Sequence, residues 1–461
     1  MASRVLTTWN PEDKEFWDKE GKAVAQRNLW ISIPALFLAF AVWMVWSVVV
    51  VNLPNIGFKF DPNKLFWLAA LPGLSGATLR IFYSFMVPIF GGRIWTTIST
   101  ASLLIPAIGI GFAVRDPATS YTTMLILALL CGFGGGNFAS SMANISFFFP
   151  KAQKGTALGL NAGLGNLGVS AMQFLVPLVI TSGTFAALCG DPQVCVVKGV
   201  TSSIWLQNSG FVWVPLILAS TIAAWFGMND IASAKASFSD QSIIFRRRHN
   251  WLMCWLYLGT FGSFIGYSAG LPLLIKSQFP AVNPVQFAFI GPLVGALVRP
   301  VGGWLADKMG GATVTFWNFI VMAAAVVGVL QFLPHDGNNG NFWGFLAMFI
   351  LLFTTTGIGN GSTFRMIPVI FLTERQRDAS GKGEAAAEQA IKDAAKEAAA
   401  VLGFTSAFAA YGAFFIPKSF GSSIAATGGP QAALYGFMIF YLSCIIMTWW
   451  YYSRKNAEMP C

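Results

Sequence analysis

"GATLRIFYSFMVPIFGG", residues 76–92, decides the fold when set beside "GALVRPVGGWLADKMGG", residues 295–311. Both read G-A-x-x-R, then ten residues, then G-G. Each begins inside an apolar run and places an arginine, Arg80 or Arg299, within it. Two copies of one pattern predict a duplicated chain. A charge at the bilayer centre costs at least ~3 kcal/mol on insertion scales, so an arginine kept there is a candidate for function.

The composition agrees with a membrane location. Of 461 residues, 55% are hydrophobic and 10% charged, whereas soluble domains carry about 25% charged residues. Apolar runs long enough to cross a ~30 Å core occur twelve times: 29–53, 65–90, 94–114, 121–149, 155–180, 204–228, 251–275, 285–306, 312–333, 342–372, 398–418 and 432–452. With both termini inside, the cytoplasmic segments hold 20 Lys and Arg and the opposite loops five, which sets the orientation. The net charge of +10 therefore belongs to short loops beside the bilayer, and nucleic acid is excluded as a partner. From its polar start, no cleavable signal is expected. The expected location is a bacterial inner membrane, multi-pass, with cytoplasmic termini.

These spans divide into an N-terminal arm (1–28), a six-helix bundle (29–228), a polar linker (229–250), a second six-helix bundle (251–452) and a short tail (453–461). The repeat continues in other spans. "GFGGG" at 132–136 pairs with "GIGNG" at 357–361, and "GLNAGLGNLG" at 159–168 with "GFTSAFAAYG" at 403–412. Six plus six with an internal repeat is the major-facilitator plan: an all-α membrane fold of twelve helices in two pseudo-symmetric halves, with the substrate near midplane between them. "GGWLADKMGG" at 302–311 resembles the facilitator loop signature, whereas the first half has only "PIFGGR", without the Asp.

Arg80 and Arg299 then form a pair, one from each half, charged at any physiological pH. Arg80 lies some 15 Å from one interface at roughly 1.5 Å rise per residue, too deep to snorkel. Every Asp, Glu and His falls in a loop, a terminus or a span end. The spans thus supply no counter-charge, and the substrate is expected to be an anion. They also supply no carboxylate or histidine relay for protons, which favours exchange of one anion for another. Proton-coupled symport is the alternative. Arginine, whose planar fork matches flat oxygens, points to a small planar oxyanion. Arg365, about 10 Å inside one face by helix rise, is a possible vestibule or gate residue.

"GGNFASSMANISFFFPKAQKGTALGLNAGLGNLGVSAMQ" at 135–173 resembles the nitrate signature of the nitrate/nitrite porter family, and "GFTSAFAAYGAFFIPKSFG" at 403–421 resembles its second copy. The resemblance extends over essentially the whole chain, to the bacterial respiratory branch. It implies nitrate and nitrite as substrates, gripped by Arg80 and Arg299. It adds hydrogen bonds from Tyr257 and Asn166, a sandwich of Phe138 and Phe261 about the flat anion, and Phe40 close by. It also implies that Gly163, Gly165, Gly168, Gly403 and Gly412 let helices bend and slide.

No Ser/His/Asp, metal-ligand or phosphate-loop grouping appears, so neither an enzyme nor a metal or cofactor is expected. Cys189 and Cys195 share an external loop and are either a small disulfide or two thiols. The expected state is a monomer.

Overall fold

The computed structural model describes residues 4–183, 190–197, 200–232, 234, 242–335 and 337–461. Among these, twelve helical stretches are long and apolar enough to cross a membrane. They are α1 (Lys14–Ile56), α2 (Pro62–Tyr83), α3 (Gly92–Ala113), α4 (Tyr121–Phe148), α5 (Lys151–Ile180) and α6 (Asn208–Gly227), then α7 (Arg248–Gln278), α8 (Pro284–Met309), α9 (Gly311–Phe332), α10 (Phe342–Ala379), α11 (Glu384–Thr427) and α12 (Gln431–Ser453). This is a multi-pass membrane protein. The most apolar windows of α1 and α7 are 89% and 94% buried, against 28% in α6 and α12. The first two are therefore interior helices, and the last two turn apolar side chains such as Ile222, Phe226, Ile439 and Ile446 outward, as lipid-facing helices do.

The described residues group into two compact units. The first comprises residues 1–235, 267–293 and 413–425, the second residues 236–266, 294–412 and 426–461. The C-terminal parts of α7 and α11 thus belong to the first unit. There, Gln173 on α5 donates to Ser47 Oγ at 3.1 Å and to Ser268 O at 2.7 Å.

The repeated glycines explain how each unit closes. In the first, Gly76 on α2 and Gly135 on α4 meet around Trp43. A Cβ on Gly135 would lie 2.6 Å from the indole and 2.7 Å from the Gly76 Cα. In the second, a Cβ on Gly357 of α10 would lie 2.3 Å from Gly295 O on α8. The G-A-x-x-R and G-x-G-x-G repeats are therefore the two sides of one close helix crossing, made twice.

A second symmetry joins helix starts to chain segments far away. α3 and α9 both begin after a glycine with positive φ, Gly91 at +88° and Gly310 at +85°. Neither start has a side-chain cap of its own. In the repeat, Arg93 aligns with Ala312, and each N–H finds an acceptor beyond the sixth helix of its half. Arg93 N donates to Asp230 Oδ1 at 2.8 Å, and Ala312 N donates to Cys461 O at 2.9 Å. Asp230 also pairs with Arg93 Nε at 3.1 Å, so the linker supplies the first half with an acidic residue that its loop lacks.

The N-terminal arm, which reads as a polar extension, is folded onto the first unit. Trp17 packs with Leu29, Ile145, Phe148 and Phe149. β1 (Val5–Leu6) pairs in parallel with β4 (Asp230–Ile231), and Glu12 Oε1 accepts from Lys151 N at 2.9 Å, capping α5. β2 (Gln193–Val197) and β3 (Val200–Ile204) form an antiparallel hairpin that holds the buried Cys195. Its possible disulfide partner, Cys189, lies outside the described residues.

Asp230→Ala removes one member of a nearly buried pair and orphans both Arg93 groups. It is expected to destabilise the protein by about 3 kcal/mol, read as a lower melting temperature in detergent. Asp230→Asn, which keeps an acceptor, should lose less.

Candidate substrate site

Each arginine is positioned by its own unit, and the two are held alike. Arg80 comes from α2 and is fully buried. Its Nε donates to Gly135 O on α4 at 2.9 Å. Its guanidinium carbon stands 4.8 Å from the Phe138 ring centre and 5.3 Å from that of Trp43. Trp43 is fixed in turn, because its Nε1 donates to Pro72 O at 2.6 Å. Phe40 packs edge-on to Phe138 with centroids 6.1 Å apart.

Arg299 comes from α8 and is partly buried. Its Nη2 donates to the Tyr257 hydroxyl at 3.3 Å, and its guanidinium carbon lies 5.4 Å from the Phe364 ring centre. Tyr257 stacks on Phe261 at 5.5 Å with 11° between planes. The Nη1 of Arg299 is shielded from solvent with no partner among the described residues, and no carboxylate there forms an ion pair with it.

The arrangement has a chemical consequence. Aromatic rings cover the guanidinium faces and stabilise the charge through their quadrupoles. The N–H groups lie in the guanidinium plane, so covering the faces leaves the edge of Arg299, where Nη1 has no partner among the described residues, open to an acceptor. An edge of parallel donors, poor in counter-charge, suits a flat oxyanion. Asn166 on α5 is also buried, and its Oδ1 has no partner among the described residues.

The first unit thus gathers Arg80, Phe138 and Phe40 about Trp43, and the second gathers Arg299 and Tyr257 about Phe364, with Phe261 stacked on Tyr257. Sequence reasoning missed Trp43 and Phe364. A signal existed for Phe364: it follows "GIGNG" as Phe138 follows "GFGGG", one residue out of register. Trp43 had no counterpart to betray it.

Arg365 sits apart from this group. Its side chain is 59% exposed and its Nε bonds Asp307 of the "GGWLADKMGG" loop. Lys418 stands over Trp67 at 4.8 Å.

A family profile described as the Major Facilitator Superfamily matches residues 35–383. The nitrate/nitrite transporter NarU of Escherichia coli (strain K12) is 53% identical over 454 residues, 98% of this chain and 97% of NarU. NarU of Salmonella typhimurium is 52% identical over 456 residues, with the same coverage of both chains. The "Probable nitrate/nitrite antiporter NarK2" of Thermus thermophilus is 43% identical over 462 residues, 99% of this chain and 98% of that protein. The chain belongs to the nitrate/nitrite porter family.

As a member of that family and of the Major Facilitator Superfamily it is an all-α transporter, not an enzyme. The signature glycines of this porter divide into two kinds. A Cβ on Gly168 would lie 2.1 Å from Phe37 O, one on Gly165 2.7 Å from Leu36, and one on Gly412 2.3 Å from Gly262 O. Around Gly163 and Gly403 a Cβ would meet nothing within 4 Å. Close helix approach therefore accounts for three of them and not for the other two.

Gly168→Ala forces backbone apart and is expected to cost about 2 kcal/mol or more, seen as a fall in melting temperature. Gly163→Ala should leave the melting temperature unchanged or raise it, since alanine favours helix by up to ~1 kcal/mol over glycine.

Proposed function

We propose that this porter carries nitrate and nitrite across a bacterial inner membrane by alternating access, taking up nitrate in exchange for nitrite. Both termini face the cytoplasm, the protein acts as a monomer, and its two six-helix halves rock about the substrate. The observation that carries the reading is the pair of arginines clad in aromatic rings. Arg299 Nη1 is shielded and without a partner among the described residues, and the apolar spans bring no acid to depth.

Arg80 and Arg299 grip the anion's oxygens. Tyr257, which already accepts from Arg299, donates its own hydroxyl proton to the anion, and Asn166 adds an amide. Phe138 and Phe261 lie on its faces, with Phe40 behind Phe138. Binding an anion neutralises charge that the spans cannot, so the loaded carrier changes face more readily than the empty one. That is the physical basis of exchange. The close-packed Gly165, Gly168 and Gly412 let helices slide, and Gly163 and Gly403 leave room for bending. Arg365, through its pair with Asp307, acts at the gate on the cytoplasmic side.

The test uses purified protein in liposomes loaded with nitrite, with pH and membrane potential clamped. Nitrate uptake is expected to require internal nitrite and to ignore an imposed proton gradient. Uptake into empty liposomes driven by protons would replace exchange with proton symport.

Arg299→Lys keeps the charge and loses the fork, and should abolish uptake in the same assay, as should Arg80→Lys. Tyr257→Phe removes a hydrogen bond to a charged acceptor, worth about 1.5–3 kcal/mol, and is expected to weaken nitrate binding by roughly tenfold or more in a titration of the purified protein.

A further inference from the structure

A small cavity lies inside the first unit between α1, α3 and α4. Its volume is about 10 Å³, room for one sphere of water size, and Ser32, Thr96, Ser99, Thr100, Asn137 and Ser141 are among its lining residues. No lining side chain is ionisable.

Most of the polar groups here are satisfied by one another. Ser32 Oγ and Ser141 Oγ share a bond of 2.8 Å, and Asn161 Nδ2 donates to Ser141 Oγ at 2.8 Å. Asn137 Nδ2 donates to Ser99 O at 3.4 Å, and Ser99 Oγ donates to Thr96 O at 3.4 Å. Among the lining residues two atoms are left over. Asn137 Oδ1 and Thr100 Oγ are shielded with no partner among the described residues, on side chains 5% and 0% exposed. Leaving such atoms bare costs about 1–3 kcal/mol each.

An amide oxygen needs a donor, and a hydroxyl proton needs an acceptor. One water molecule is both. An anion would meet no positive charge in this cavity and a divalent cation no negative one. The volume, the chemistry and the two orphaned atoms agree. We propose that one structural water occupies this cavity and bridges Thr100 on α3 to Asn137 on α4.

The water fastens α4 from behind. Asn137 immediately precedes Phe138, whose ring covers the Arg80 guanidinium, and lies two residues after Gly135, whose carbonyl accepts from Arg80. The solvent site thus ties the arginine-bearing crossing of α2 and α4 to α3. This inference stands whether or not the transport reading does.

Crystal structures of the full chain at better than about 2 Å, as purified and as Thr100→Val, provide the test. One density peak is expected within about 3.2 Å of both Asn137 Oδ1 and Thr100 Oγ, and Thr100→Val, nearly isosteric, should lose it. Melting temperatures supply a second readout. Thr100→Val and Asn137→Leu should each lower it, and the double variant should lose less than their sum, because either change expels the same water. Should Asn137→Leu fail to fold, the map and melting temperature of Thr100→Val decide alone. A wild-type map without the peak overturns the proposal, as do additive losses or a Thr100→Val protein that melts like wild type. A peak with five or more oxygens near ~2.4 Å, a hard-cation distance, joined to melting raised by sodium over potassium, overturns it in favour of a cation.

Discussion

The molecule is organised around guanidinium groups kept in apolar spans and clad by aromatic rings. That arrangement is stable because the charge is accommodated by weaker partners. In the first unit, two rings and a backbone carbonyl surround Arg80. In the second, one ring and a phenol serve Arg299. Cation–π contacts and hydrogen bonds to neutral groups hold a charge in place without cancelling it. A salt bridge would have neutralised it.

Much of the remaining architecture serves to bring those partners close. Phe138 reaches the guanidinium only because α2 and α4 touch at Gly76 and Gly135, where side chains would collide with Trp43 and with each other. Gly295 and Gly357 do the same on the other side. The two units solve their peripheral problems less symmetrically. Both cap the start of a third helix with chain that has left the sixth, but one uses the Asp230 side chain and the other a backbone carbonyl. Asp307 is then free to pair with Arg365, while Asp230 is committed to Arg93. A repeat conserves geometry more strictly than it conserves the atoms that satisfy it.

The N-terminal arm illustrates what local composition conceals. Residues 10–22 mix Asp, Glu and Lys with only two aromatic residues, Phe16 and Trp17, and nothing in their pattern announces a docking site. Trp17 nevertheless enters a core with Phe148 and Phe149. Glu12 caps a helix that begins 139 positions later. Likewise the free cap of α3 could be read from Gly91-Gly92, but not the identity of Asp230 as its acceptor. Long-range partners of single polar groups carry no periodicity and so leave no mark on the sequence.

Periodicity, apolar length and internal repetition by themselves determined the twelve spans, the duplication and the repeated arginine of each half, because a bilayer punishes polarity so strongly that few sequences can span it. The signature around Gly163 and Gly403 determined the family. Only the tertiary structure decided which aromatics cover each guanidinium, adding Trp43 and Phe364. It also separated Gly168, pressed on Phe37 O, from Gly163, which meets nothing, and placed Arg365 in an exposed ion pair. The reason is the same in each case. A span is specified by its solvent, residue by residue, whereas a contact is specified by two helices and exists only once both are in place.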